Sequence, residues 1–122
     1  GDLHFNVSHS GDLITVAVCR ERAVGIDIER RREVQRAGAL ISRWLTPTEQ
    51  QEVKSLHAAG FRESDAFLRV WSAKEARLKA LGVGISGSNG AEVSQVVAVA
   101  LDDLLSSAIV NAEEYVGAVA FA

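Results

Sequence analysis

Apolar and polar positions change their rhythm twice along this chain. Up to about residue 30 they follow a two-residue period. Leu3–Ser8 alternates, Leu13–Cys19 is rich in β-branched residues, and Ala23–Ile28 follows a short polar loop at Arg20–Arg22. This pattern predicts three strands. Ser10-Gly11-Asp12 marks a turn between the first two, and strands joined by so few residues pair antiparallel. Helical spacing then takes over, with Val34, Ala37, Ile41, Trp44 and Leu45 on one face. Thr46-Pro47-Thr48-Glu49 ends that helix and starts another. Thr46 is the N-cap, Pro47 takes the first helical position and Glu49 completes a capping box. Val53 and Leu56 carry this second helix to Gly60. A third helix is predicted over 64–81, with Phe67, Val70, Trp71, Leu78 and Leu81 as its apolar stripe and Gly82 as its C-terminal cap. Ser86–Gly90 reads as a loop, and Glu92–Leu101 and Tyr115–Ala122 return to strand. The order predicts an α+β fold, an antiparallel sheet with three helices packed on one face.

Composition narrows the class without changing this picture. A chain of 122 residues suits one domain, residues 1–122, with a single core. The net charge of −3 supplies no bulk positive field for nucleic acid. Cys19 is the only cysteine, so no internal disulfide is expected, and its apolar strand context reads as a small buried hydrophobe. No apolar run has the length of a membrane span and no signal-peptide pattern is present, so the chain reads as cytoplasmic.

Three short segments carry candidate chemistry. In Gly25-Ile26-Asp27-Ile28-Glu29 alternate side chains share a strand face, which places Asp27 and Glu29 together, roughly 6.5 Å apart along the backbone. Val24, Ile26 and Ile28 point the other way, into a core. Neighbouring carboxylates repel unless a cation lies between them, and magnesium favours such oxygen ligands together with substrate phosphates. The same pair also fits a solvated strand face. In Trp71-Ser72-Ala73-Lys74-Glu75-Ala76-Arg77-Leu78-Lys79, Glu75 and Lys79 are helix neighbours at four-residue spacing, which fits an ordinary ion pair as well as a charged cluster. Lys74 falls in the middle of the apolar stripe, facing the sheet, where an ammonium needs an anionic partner. In Phe5-Asn6-Val7-Ser8-His9-Ser10-Gly11, Ser8 and His9 end a strand at a glycine turn. They form either an anion-binding corner or a capped turn with a structural histidine. There is no nucleophile triad, Walker loop, dinucleotide fingerprint or zinc spacing.

In this order the three segments resemble the three-motif signature of Sfp-type 4'-phosphopantetheinyl transferases, and the likeness spans residues 5–84. The resemblance implies transfer of the 4'-phosphopantetheine arm of coenzyme A to a serine of an acyl or peptidyl carrier protein. Adenosine 3',5'-bisphosphate would be released. It implies a magnesium site at Asp27, Glu29 and Glu75, with Glu75 also the general base. Lys79 and Lys74 would hold the phosphates, and Ser8 and His9 would contact those of coenzyme A.

The likeness is to the second half of such enzymes, which are built of two similar halves with the active site at their junction. The first half supplies the basic residues for the coenzyme-A 3'-phosphate, a role for which Arg30, Arg31 and Arg32 are the candidates here. Three accounts fit: a piece of a longer enzyme, a self-associating enzyme whose second half-site comes from a neighbour, or a non-catalytic module that binds coenzyme A or carrier protein. An unpartnered half exposes apolar surface, so self-association is expected.

Overall fold

The computed structural model describes residues 2–83, 93, 95–101 and 112–122. Its elements are β1 (Leu3–Ser10), β2 (Leu13–Arg20), β3 (Val24–Arg30), α1 (Ala37–Trp44), α2 (Pro47–Ala58), α3 (Glu63–Leu81), β4 (Val97–Ala100) and β5 (Tyr115–Phe121). A 3-10 turn at Ala112–Glu114 leads into β5. The expected α+β class and antiparallel pairing are observed, but the strands form two sheets. One is the β1-β2 hairpin; the other has the order β3-β5-β4.

Two-residue periodicity explains the layering. Val116 of β5 joins the core cluster that holds Ala66 and Leu68 of α3, while Ala118 and Ala120 meet Ala76 and Ala80, so this face of the sheet receives α3. Tyr115 and Val119 point the opposite way. They join Ile26 and Ile28 of β3 against Leu13 and Ala17 of β2. The three-stranded sheet therefore carries helices on one face and β2 of the hairpin on the other, with β1 beside the free edge of β3. Leu45 and Val53 of the α1-α2 segment close over the far side of α3, the side on which Phe67, Val70 and Lys74 lie. Fully buried Ile28, Leu68 and Leu78 each contribute about 1.5–3 kcal/mol of apolar transfer energy.

Helix boundaries follow local chemistry. α1 starts at Ala37 rather than near Val34 because Arg36 adopts a left-handed conformation, φ 57°, which a right-handed helix cannot pass through. The Val34 amide instead donates to Ser64 Oγ at 2.9 Å. α2 has the expected capping box: Thr46 Oγ1 accepts from the Glu49 amide at 3.2 Å, and Glu49 Oε1 accepts from the Thr46 amide at 2.8 Å. α3 ends at Gly82 with φ 74°. The reading of 92–101 as one strand is corrected: among its described residues only Val97–Ala100 is extended, and Val93 and Gln95 are helical. A short Val/Ala-rich run does not distinguish the two states by period. Glu92 and the expected loop Ser86–Gly90 lie outside the described residues. Among the described residues no helix is long and apolar enough to cross a membrane.

The contact that brings β3 against α3 is made at Gly25. A methyl group there would overlap the Ala76 carbonyl oxygen and lie 2.5 Å from the Ala80 amide nitrogen. These are rigid helix backbone atoms, so β3 and α3 would have to part. Gly25→Ala is expected to destabilise the fold by about 3 kcal/mol or more, the range of severe overpacking. Urea unfolding checks this; a loss below about 1 kcal/mol would contradict so close an approach.

Candidate functional site

The close approach at Gly25 places the following residues of the same strand face beside α3. Asp27 and Glu29 lie two and four residues further along β3, and Glu75 and Lys79 lie one turn apart on α3. The sequence-predicted set Asp27, Glu29, Glu75 and Lys79 is thus brought together.

Its electrostatics are unbalanced. Asp27 is pushed from 3.8 up to about 8, first by burial, then by Glu29 and Glu75. A hydrogen-bonding contact with Glu29 adds to the rise, and Lys79 partly offsets it. Glu75 is raised too, by burial and then by Glu29, with Lys79 and Lys74 opposing. Asp27 Oδ2 is buried and has no hydrogen-bond partner among the described residues. A buried, unpaired carboxylate oxygen beside two further carboxylates is short of positive charge. Among the described residues no three His, Cys, Asp or Glu side chains converge as a ready-made metal cluster. Magnesium does not require one, because it keeps several waters and takes one or two carboxylates plus substrate phosphates. The donor set fits that ion: hard oxygens, one of them orphaned and buried.

The Lys79 ammonium lies between two strands, donating to the carbonyls of Val7 of β1 (2.9 Å) and Ile26 of β3 (2.5 Å). An ammonium has three donors, so one remains for an anion. On the open side, Arg32 Nη1 reaches Glu29 Oε2 at 3.3 Å. This exposed pair contributes little stability and yields easily to a better cation.

Other expected members lie elsewhere. Lys74 does not face the sheet. Its ammonium is buried under α1 and α2, donating to Glu49 Oε1 and to the Trp44 carbonyl, each at 2.8 Å. A buried carboxylate 25 residues earlier satisfies the charge that had suggested a phosphate. Ser8 and His9 do not form one corner, because successive strand residues point to opposite faces. Ser8 is buried with its Oγ accepting the Ile28 amide at 3.1 Å, whereas His9 is exposed on the outer hairpin face. Of the three arginines, Arg31 forks onto Asp65 (3.0 and 3.2 Å) and also donates to the Glu113 carbonyl at 2.9 Å. It is structural rather than free for a phosphate. Cys19 is half-buried.

Two features escaped the sequence reading. Asp65 is a buried hub for Arg31 and Arg69. Asn6, Ser8 and Ser10 also act as a series: Asn6 Oδ1 accepts from the Ile26 amide at 2.8 Å, and Ser10 Oγ from the Arg30 amide at 2.9 Å. Their two-residue spacing was the available signal.

Chemically, the strand–helix junction suits a hard divalent cation together with a phosphate-bearing ligand. The chain belongs to the 4'-phosphopantetheinyl transferase superfamily, whose sequence pattern matches residues 23–117. It is 37% identical over 87 residues to a 4'-phosphopantetheinyl transferase of Bacillus subtilis, covering 70% of this chain and 36% of that protein. It is 41% identical over 83 residues to the 4'-phosphopantetheinyl transferase psf-1 of Bacillus pumilus, covering 68% of this chain and 34% of the relative. An L-aminoadipate-semialdehyde dehydrogenase-phosphopantetheinyl transferase of Xenopus laevis is 34% identical over 87 residues, covering 67% and 28% respectively. The chain spans about a third of the length of these curated relatives.

Proposed function

We propose that this domain carries the magnesium and pyrophosphate side of a phosphopantetheinyl transferase site. The reaction moves 4'-phosphopantetheine from coenzyme A to a serine of an acyl or peptidyl carrier protein. The observation that carries the reading is the orphaned, buried Asp27 carboxylate oxygen beside Glu29, Glu75 and Lys79. Family membership supplies the substrate class.

Asp27, Glu29 and Glu75 would hold magnesium, which when bound neutralises pyrophosphate charge and eases departure of the adenosine-side phosphate. The carrier serine Oγ attacks the β-phosphorus of coenzyme A. The bond from that phosphorus to the bridging oxygen breaks, and adenosine 3',5'-bisphosphate leaves. Glu75 accepts the serine hydroxyl proton, directly or through one water, and Lys79 offers its free N–H to a phosphate oxygen. Such transfer depends mainly on positioning and charge neutralisation, which this cluster is built to supply.

The junction is completed by a second half-site, and we assign that role to a neighbouring copy or partner half-domain. Support comes from the outer hairpin face, where Leu3, Phe5, Val7, Ile14, Val16 and Val18 are all exposed, Phe5 at 70% and Ile14 at 71%. A contiguous apolar face of this kind is a docking surface or an aggregation liability.

The test is transfer of labelled phosphopantetheine from coenzyme A to an apo carrier protein, with and without magnesium. Magnesium-dependent labelling is expected, and Glu75→Gln is expected to reduce it by about 100-fold or more. Near-normal turnover in that variant would remove Glu75 from the chemistry. Light scattering on the same preparation should show an oligomer; a monomer at high concentration would contradict self-association.

A further inference from the structure

The edge of β3 that faces β1 is not paired by backbone. Asn6, Ser8 and Ser10 accept from the amides of Ile26, Ile28 and Arg30 at 2.8, 3.1 and 2.9 Å. The offset of 20 residues is constant along both strands, so β1 runs parallel to β3 with side chains standing in for the backbone carbonyls of a ladder. Backbone-paired strands sit about 4.8 Å apart; an interposed side chain widens the seam. Into that widened seam comes the Lys79 ammonium, bonded to a carbonyl on each side, Val7 of β1 and Ile26 of β3. Directly paired strands would spend the Ile26 carbonyl on a β1 amide and leave no slot for an ammonium.

We infer that Asn6, Ser8 and Ser10 are spacers whose role is to hold this slot open, and so to position Lys79 beside Asp27. They touch no reacting group and act through the backbone of the strand that carries Asp27 and Glu29. The inference deepens the magnesium reading and rests on it for its consequence, that the spacers set cation affinity. Outer partners of metal ligands typically change affinity by 10–100-fold when removed. A role limited to folding would not single out Lys79.

Two readouts test this on the chain with the double substitution Asn6→Ala and Ser10→Ala. Ser10→Thr, which keeps the hydroxyl acceptor, serves as rescue, and Thr46→Ala serves as a destabilised control remote from the seam. The first readout needs no metal: the rate at which an amine-acylating reagent labels Lys79, mapped by peptide mass and referred to exposed Lys54. Lys79 is expected to label about tenfold slower than Lys54 in the wild type, because two carbonyls hold its ammonium. The gap should close in the double variant and persist in Ser10→Thr and Thr46→Ala. Equal Lys79 rates in wild type and double variant would overturn the spacer role. The second readout is magnesium binding by calorimetry, expected to weaken about tenfold in the double variant alone. Released Lys79 with unchanged magnesium affinity would overturn the link to the cation site. A wild type that binds no magnesium would instead sink the proposed function, while the labelling result still decides the spacers.

Discussion

Asp27→Asn should make the metal-free protein more stable and the loaded protein inactive. In the folded chain Asp27 holds its proton up to about pH 8, against 3.8 ordinarily. Between those values the folded state binds more protons than the unfolded one, so stability falls as pH rises through this window. The loss is small near pH 4 and fully developed above pH 8. Asparagine cannot ionise, so its variant should escape that loss. With allowance for water reaching the half-buried group, the gain at pH 8 is about 2–4 kcal/mol, or roughly 10 °C in Tm. Saturating magnesium should stabilise the wild type but not the variant. Transfer to a carrier protein should fall by about 100-fold or more. Thermal unfolding at pH 5 and pH 8, with and without magnesium, checks each part. A variant less stable than wild type at pH 8 without metal would mean that Asp27 is an ordinary structural carboxylate.

The second large effect is purely structural. Lys74→Met removes the cation from a buried pair and leaves the Glu49 carboxylate buried without it. Breaking such a pair on one side costs about 3–5 kcal/mol, a large part of the total stability of a small domain. The double variant Lys74→Met with Glu49→Gln removes both charges and keeps an acceptor for the Thr46 amide. It should recover most of the loss in urea unfolding, and it should still bind coenzyme A. Loss of coenzyme-A binding in a stably folded double variant would return Lys74 to the phosphate site.

Lys74 also shows where reading the sequence stops. Asp27 with Glu29, and Glu75 with Lys79, were legible because strand and helix periods are local rules, and Gly25 between β3 and α3 makes their faces meet. Lys74 was seen correctly to need an anion, but its anion is Glu49, supplied by a helix that one-dimensional periodicity cannot place. α3 is buried on two sides, by the sheet and by α1 with α2, so a single apolar stripe misjudged which side Lys74 faces. The hairpin was legible as two strands and a turn. Its stacking on the second face of the β3-β5-β4 sheet was not, because the inward positions Leu13, Thr15, Ala17 and Cys19 and the outward positions Ile14, Val16 and Val18 are almost equally apolar. Asn6, Ser8 and Ser10 were visible as polar positions, yet nothing local says that a serine hydroxyl will replace a strand carbonyl.

The proposed divalent-cation site of Asp27, Glu29 and Glu75 requires Asp27 to give up a proton when the ion binds. Calorimetric titration with magnesium near pH 7, in buffers of different ionisation enthalpy, measures this directly because it counts protons released on binding. The wild type should bind magnesium saturably with release of up to about one proton, a release that fades by pH 9 and is absent in Asp27→Asn. Binding without proton release, or binding unchanged in Asp27→Asn, would contradict it.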